Sequence, residues 1–195
     1  MDSSARTALG VDDDTLMARV AARDAAAFRA LADRHGALPY RIAYRMTGDA
    51  AEAEDVAQEA FLRLWDKAPR WRPGGAGVAA WLTRVAMNLS LDRLRRRRFA
   101  SAEPVPERAD EAVGADEAIG QAQTDAAVRA CIAALPDRQR AAIVLTYYEE
   151  LANRTAAESL DMNLKAFESL LLRARAALRD SFEAHAALGA RSDTQ

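Results

Sequence analysis

Three groups of residues in this chain have types and spacings that could do chemistry. The densest is Arg93, Arg95, Arg96, Arg97 and Arg98, five guanidiniums within six residues. Arginines at that density suit contact with phosphates, and at a helix C-terminus they also complement its negative end. The second group is Asp55, Gln58, Glu59 and Leu62, at offsets 0, 3, 4 and 7, which share one face of a helix. This acidic, partly apolar stripe is either a solvated face or a surface for a protein partner, and periodicity alone does not separate the two. The third group runs from Asn153 to Leu172 and has the parts of a helix-turn-helix. Ala157 is the small residue where two helices cross. Asp161 sits in the turn and tolerates the left-handed conformation. Leu160, Met162, Phe167 and Leu170 are apolar anchors, and Asn163 can cap the second helix. Lys165, Ser169, Arg173 and Leu172 then face outward. A plain helical hairpin would satisfy the same pattern.

Other chemistries find no support. The single cysteine, Cys131, can neither close an internal disulfide nor supply a metal site, and its neighbours Val128, Ile132 and Leu135 place it on a buried helical face. His35 and His185 are far apart, and there is no HExxH, CxxC or phosphate-loop pattern. No enzyme activity, cofactor or metal is expected. The N-terminus lacks the apolar stretch of a signal peptide, and no run is long and apolar enough to span a membrane. The expectation is a cytoplasmic protein.

The elements that must position these groups are helical. Half of the 195 residues are hydrophobic but only 6% are aromatic, and Ala, Leu, Arg and Glu, all strong helix formers, dominate. Residues 14–34 read as a helix with a break possible near Arg23-Asp24, followed by helices over 38–47 and 50–67, the latter capped by Asp49. In that third helix Ala53, Ala57, Ala60 and Leu64, flanked by Val56 and Phe61, form the core stripe opposite Asp55. Two prolines and three glycines make 68–77 a loop, and a fourth helix follows from Val78 to Arg97. On it, Trp81, Leu82, Val85, Ala86 and Leu89 repeat at helical spacing, while Arg84, Asn88, Asp92 and Arg95 share another face. Trp71 and Trp81 bracket the loop, and either ring could stack on an unpaired base or pack in the core. Further helices are expected over 126–134, 137–149, 153–160 and 164–182.

Net charge is only −2, but it is unevenly spread. Residues 100–122 are rich in Ala, Glu and Pro, with Glu103, Glu107, Asp110, Glu111, Asp116 and Glu117 against Arg108, and Asp125 just beyond. This composition reads as a flexible acidic linker between two small helical modules.

Taken together, the strings AEAEDVAQEAFLRLW (51–65), AWLTRVAMNLSLDRLRRRR (80–98) and LPDRQRAAIVLTYYEEL (135–151) resemble the extracytoplasmic-function (group 4) sigma factors of the sigma-70 family. The resemblance covers residues 12–99 and 123–183. It implies an all-α chain of two domains: a four-helix region 2 module (12–99), an acidic linker (100–122), a region 4 helix-turn-helix module (123–183) and a tail (184–195). The implied function is promoter-specific initiation in partnership with core RNA polymerase, promoter DNA and an anti-sigma factor. Asp55, Gln58, Glu59 and Leu62 would meet the β′ clamp helices of the polymerase, with the β flap as a second contact on the enzyme. Trp71, Trp81, Arg84, Asn88, Asp92, Arg93, Arg95, Arg96, Arg97 and Arg98 would open and hold the −10 element, the loop 68–77 helping to choose a flipped base. Lys165, Glu168, Ser169, Leu172, Arg173 and Arg175 would face the −35 element. The recognition helix departs from the family here: KAFESLLLRAR (165–175) has Glu168 where a basic residue is common and Leu170 where an arginine is common. A stand-alone helix-turn-helix regulator is the competing reading, and it leaves the Asp55 stripe and the arginine helix unused.

Overall fold

The computed structural model describes residues 11–100 and 127–192, with side chains to residue 184. The described residues are helical, with no strand among them, and the chain divides into two compact units, Met1–Asp92 and Arg93–Gln195. The stretch expected to be the linker lies, from residue 101 on, outside the described residues.

In the first unit the segment 14–34 breaks near Arg23-Asp24, as expected, into α1 (Asp13–Ala21) and α2 (Ala25–His35). Arg23 takes a left-handed φ of 65° at the break. Asp24 then caps α2, accepting from the backbone N–H of Ala26 at 2.9 Å and of Ala27 at 3.1 Å. Those backbone donors, with Arg19, hold the Asp24 carboxyl below its ordinary range. Asp12 caps α1 in the same way through Thr15. α3 (Ala37–Thr47) ends at Gly48, whose φ of 71° only glycine adopts without cost. Asp49 caps α4 (Ala50–Lys67), accepting from Glu52 N–H at 2.9 Å, as its sequence position predicts.

A 3₁₀ turn (Ala68–Arg70) leads into the glycine-rich loop, and α5 (Gly77–Ala100) follows, three residues longer at its C-terminal end than expected. Leu16, Met17, Val20, Leu31, Leu64 and Leu82 are fully buried at the centre of this unit. Phe28, Phe61 and Trp65 close one side with edge-to-face ring contacts.

In the second unit, a helix over residues 127–133 (α6) is followed by α7 (Asp137–Ile143). The sequence reads 137–149 as one helix. Instead, α7 widens into a π turn (Val144–Tyr148), which leaves Tyr147 exposed while Val144 and Leu145 stay buried. α8 (Asn153–Ser159) and α9 (Leu164–Ser192) complete the unit. α9 continues ten residues past Phe182 because the Ala-rich segment after it favours helix. The core here is Ile143, Leu145, Ala157, Phe167, Leu171 and Ala174.

Candidate functional site

α4 presents two opposite faces. Ala53, Val56, Ala60 and Leu64 are fully buried, so Asp55, Gln58 and Leu62 are turned outward by helix geometry. Leu62 is 65% exposed, which makes it a large apolar side chain held among carboxylates rather than in the core. Glu59 is half-buried and accepts from Arg63 Nη2 at 2.6 Å, one turn along the same helix. The stripe is therefore acidic at one end, apolar at the other, and rigidly presented.

The loop between the 3₁₀ turn and α5 is anchored rather than loose at its base. Trp71 is half-buried against the core and meets Trp81 edge-to-face at 6.4 Å between centroids. Its indole N–H donates to Asp14 Oδ1 at 3.0 Å, and the Gly74 backbone N–H donates to Asp14 Oδ2 at 2.9 Å. Residues 72–76 themselves are exposed. Gly74 and Gly77 have φ of 74° and 83°. Beyond the loop, α5 buries Leu82, Ala86, Met87 and Leu89 and turns Arg84 and Asn88 to solvent. Asp92 and Arg93 are half-exposed, and Arg95, Arg96, Arg97 and Arg98 are exposed. The −10 group predicted from sequence thus lies on one loop and one helix, with its two tryptophan rings packed on the core.

The helix-turn-helix is built as its residue types predict. Asp161 takes a φ of 56°. Met162 N–H donates to Ala157 O at 3.0 Å and Asp161 N–H to Glu158 O at 3.3 Å, the paired bonds of a Schellman close. Asn163 Oδ1 caps α9 by accepting from Ala166 N–H at 2.8 Å. Ala157, Leu160, Phe167 and Leu170 are buried, and Met162 is half-buried. Lys165, Glu168, Ser169, Leu172 and Arg173 form the outward face, Leu172 being 68% exposed. The Ser169 hydroxyl donates to Lys165 O at 2.9 Å, and Arg173 Nε donates to Ser169 O at 3.3 Å. Arg175 is placed differently from that face: its guanidinium lies over the Tyr147 ring, 5.4 Å from the centroid.

Sequence reasoning missed three features. Asp14, described above, was one. A second is an open apolar groove of about 480 Å³ in the second unit, lined by Val128, Ile132, Ile143, Tyr147, Leu178 and Phe182. It requires three helices to converge and leaves no local signal. The third is a pair of arginines that close helix ends. Arg138 Nη2 donates to Leu160 O at 2.9 Å. Arg140, itself buried, donates to Ala133 O and to Leu135 O. Burial pushes its guanidinium below the ordinary value.

Comparison with known proteins agrees with this geometry. Residues 31–100 match the model of Sigma-70 region 2, and residues 125–178 match that of Sigma-70, region 4. The chain is 34% identical over 166 residues to the ECF RNA polymerase sigma factor SigE of Mycolicibacterium smegmatis, covering 83% of this chain and 64% of that protein. It therefore spans somewhat less than two thirds of that relative. It is 32% identical over 169 residues to SigK of a Mycobacterium species, covering 81% of this chain and 84% of that protein. SigW of Bacillus subtilis is 30% identical over 167 residues, covering 80% and 89%. Among solved structures, CnrH in complex with the cytosolic domain of CnrY superposes with a TM-score of 0.65 at 27% identity, covering 88% of this chain and 97% of that one. The chain belongs to the sigma-70 family, among its extracytoplasmic-function (ECF) sigma factors. No helix among the described residues is long and apolar enough to cross a membrane.

Proposed function

We propose that this protein binds core RNA polymerase and directs it to a specific set of promoters, with the polymerase supplying the chemistry. The observation that carries the reading is the outward stripe of α4, where an exposed leucine is held rigidly beside Asp55 and Gln58. A stand-alone DNA-binding regulator has no use for such a surface. In this reading the stripe docks on the β′ clamp helices. The loop 71–76 and α5 hold the opened −10 strand, with Arg84, Asn88 and the arginine block along its backbone. The outward face of α9 enters the major groove at the −35 element. The acidic stretch from Glu103 to Glu117 runs toward the RNA exit path, where carboxylates mimic nucleic acid in a basic channel. An anti-sigma factor holds the protein inactive, in the cytoplasm, until a signal arrives. The structural likeness to CnrH, which was solved in complex with the cytosolic domain of CnrY, supports a protein partner.

Co-elution of the purified protein with core polymerase tests the reading. The wild type should co-elute, and an Asp55→Ala/Gln58→Ala variant should bind core at least about tenfold more weakly, equivalent to about 1.4 kcal/mol. A wild type that ignores core and footprints duplex DNA as a dimer would replace this reading with a stand-alone regulator.

A further inference from the structure

We infer that Asp14 is a positioning residue for base selection: it sets the shape of the loop that reads the −10 element, although it lies at the far end of the first unit's sequence. The inference rests on the promoter-opening role proposed above for that loop. Both oxygens of the Asp14 carboxylate are committed to it. Oδ1 accepts from the Trp71 indole N–H at 3.0 Å, and Oδ2 accepts from the Gly74 backbone N–H at 2.9 Å. One bond fixes the side chain where the loop begins, and the other fixes the backbone at its turn. Hydrogen bonds to an ionised acceptor are about twice as strong as neutral ones. Between and beyond these two points residues 72–76 are exposed, so little else in the unit holds them.

The anchor itself is rigid. Asp14 lies in the first turn of α1, Asp12 caps that turn, and the next two residues, Leu16 and Met17 after Thr15, are fully buried. An acid in a first turn also complements the helix dipole, and that would be its whole role if the carboxylate faced its own backbone. Here both oxygens instead reach residues 57 and 60 positions away. Gly74, at φ 74°, is held in a left-handed conformation, so its N–H points to Asp14 only while the turn keeps this form. Removing the anchor frees the turn to take other shapes, and a base pocket that depends on its shape loses discrimination before the protein loses its fold.

The test uses the full chain with core polymerase and a pool of linear duplex templates randomised across both the −10 and −35 elements. Templates retained in heparin-resistant open complexes are sequenced. Asp14→Asn keeps the size of the side chain but turns an amide NH₂ toward one of the two donors. It should reduce the preference for the best over the second base at a −10 position by at least about fivefold, the scale of one good base contact, with −35 preferences unchanged. Trp71→Phe removes the indole donor while keeping a ring on the core, and it should shift the same position in the same direction. Core affinity and melting temperature are measured beside them. A variant pair that retains fewer templates but keeps the wild-type −10 profile would show Asp14 to be merely structural and overturn the inference. If Asp14→Asn fails to fold, Asp14→Ser, which removes the carboxylate but keeps a polar side chain in the first turn of α1, decides in its place. A wild type that selects at −35 but not at −10 would overturn the loop's reading role and this inference together.

Discussion

At the scale of single residues, two arginines of the second unit close helix ends from within the fold. Arg140 is 9% exposed and gives its N–H groups to carbonyls at the end of α6, while Arg138 reaches the carbonyl that closes α8. Helix C-termini leave carbonyls without partners, and a charged donor is a strong way to satisfy them. Arg140→Ala should therefore lower the unfolding free energy by about 2–3 kcal/mol, and Arg138→Ala by about 1 kcal/mol or less, as read by urea denaturation of the whole chain. Which single residues were legible in the sequence follows from distance along the chain. Asp49, Asp161 and Asn163 act on backbone within four residues, so composition and spacing predict their conformations correctly. Asp14 acts on Trp71 and Gly74, and Arg175 acts on Tyr147, and no local rule reaches that far.

At the scale of elements, the turn between α8 and α9 decides how the outward face of α9 is aimed. It is closed by the paired bonds from Met162 and Asp161, and these require a left-handed residue at 161. Asp161→Gly should be tolerated within about 0.5 kcal/mol, because relief of the left-handed cost offsets the added freedom of the unfolded chain. Asp161→Val should cost about 1–2 kcal/mol or more, because a β-branched side chain resists that conformation. Chemical denaturation checks both, and the Val variant should also lose −35 selectivity. Element boundaries were less legible than element types. The break between α1 and α2 falls at Arg23-Asp24, where the sequence allowed one, because Asp24 caps the second helix. The π turn over Val144–Tyr148 is invisible to a 3.6-residue period, since an inserted residue shifts the phase without changing the composition.

At the scale of the whole molecule, a net charge of −2 conceals acidic and basic stretches separated along the sequence. Were each arginine of the 95–98 block to hold one phosphate of the opened strand, log affinity for promoter DNA would fall with log salt by about 0.7 per contact. Replacing Arg95 and Arg96 by Ala in the polymerase complex should therefore shallow that slope by about 1.4, measured by binding between low and high salt. The Asp55→Ala/Gln58→Ala variant should leave the slope untouched once the complex has formed. The two-module, all-helical plan was legible because helix formers, a glycine–proline loop and an acidic stretch separate cleanly along the chain. The groove beside Tyr147 was not, because it exists only where α6, α7 and α9 meet.

α5 runs without interruption from Gly77 to Ala100, a rod of about 36 Å at 1.5 Å per residue. The glycine-rich loop joins one end and the arginine block occupies the other. A single inserted codon between Asn88 and Arg93 would swing every arginine about 100° around the axis and advance it by about 1.5 Å. Point substitutions can retune this protein gradually, but a change of length in the rod dislocates both ends at once. Substitutions at the exposed positions of α5 act one at a time, whereas a change in its length alters every spacing that crosses it.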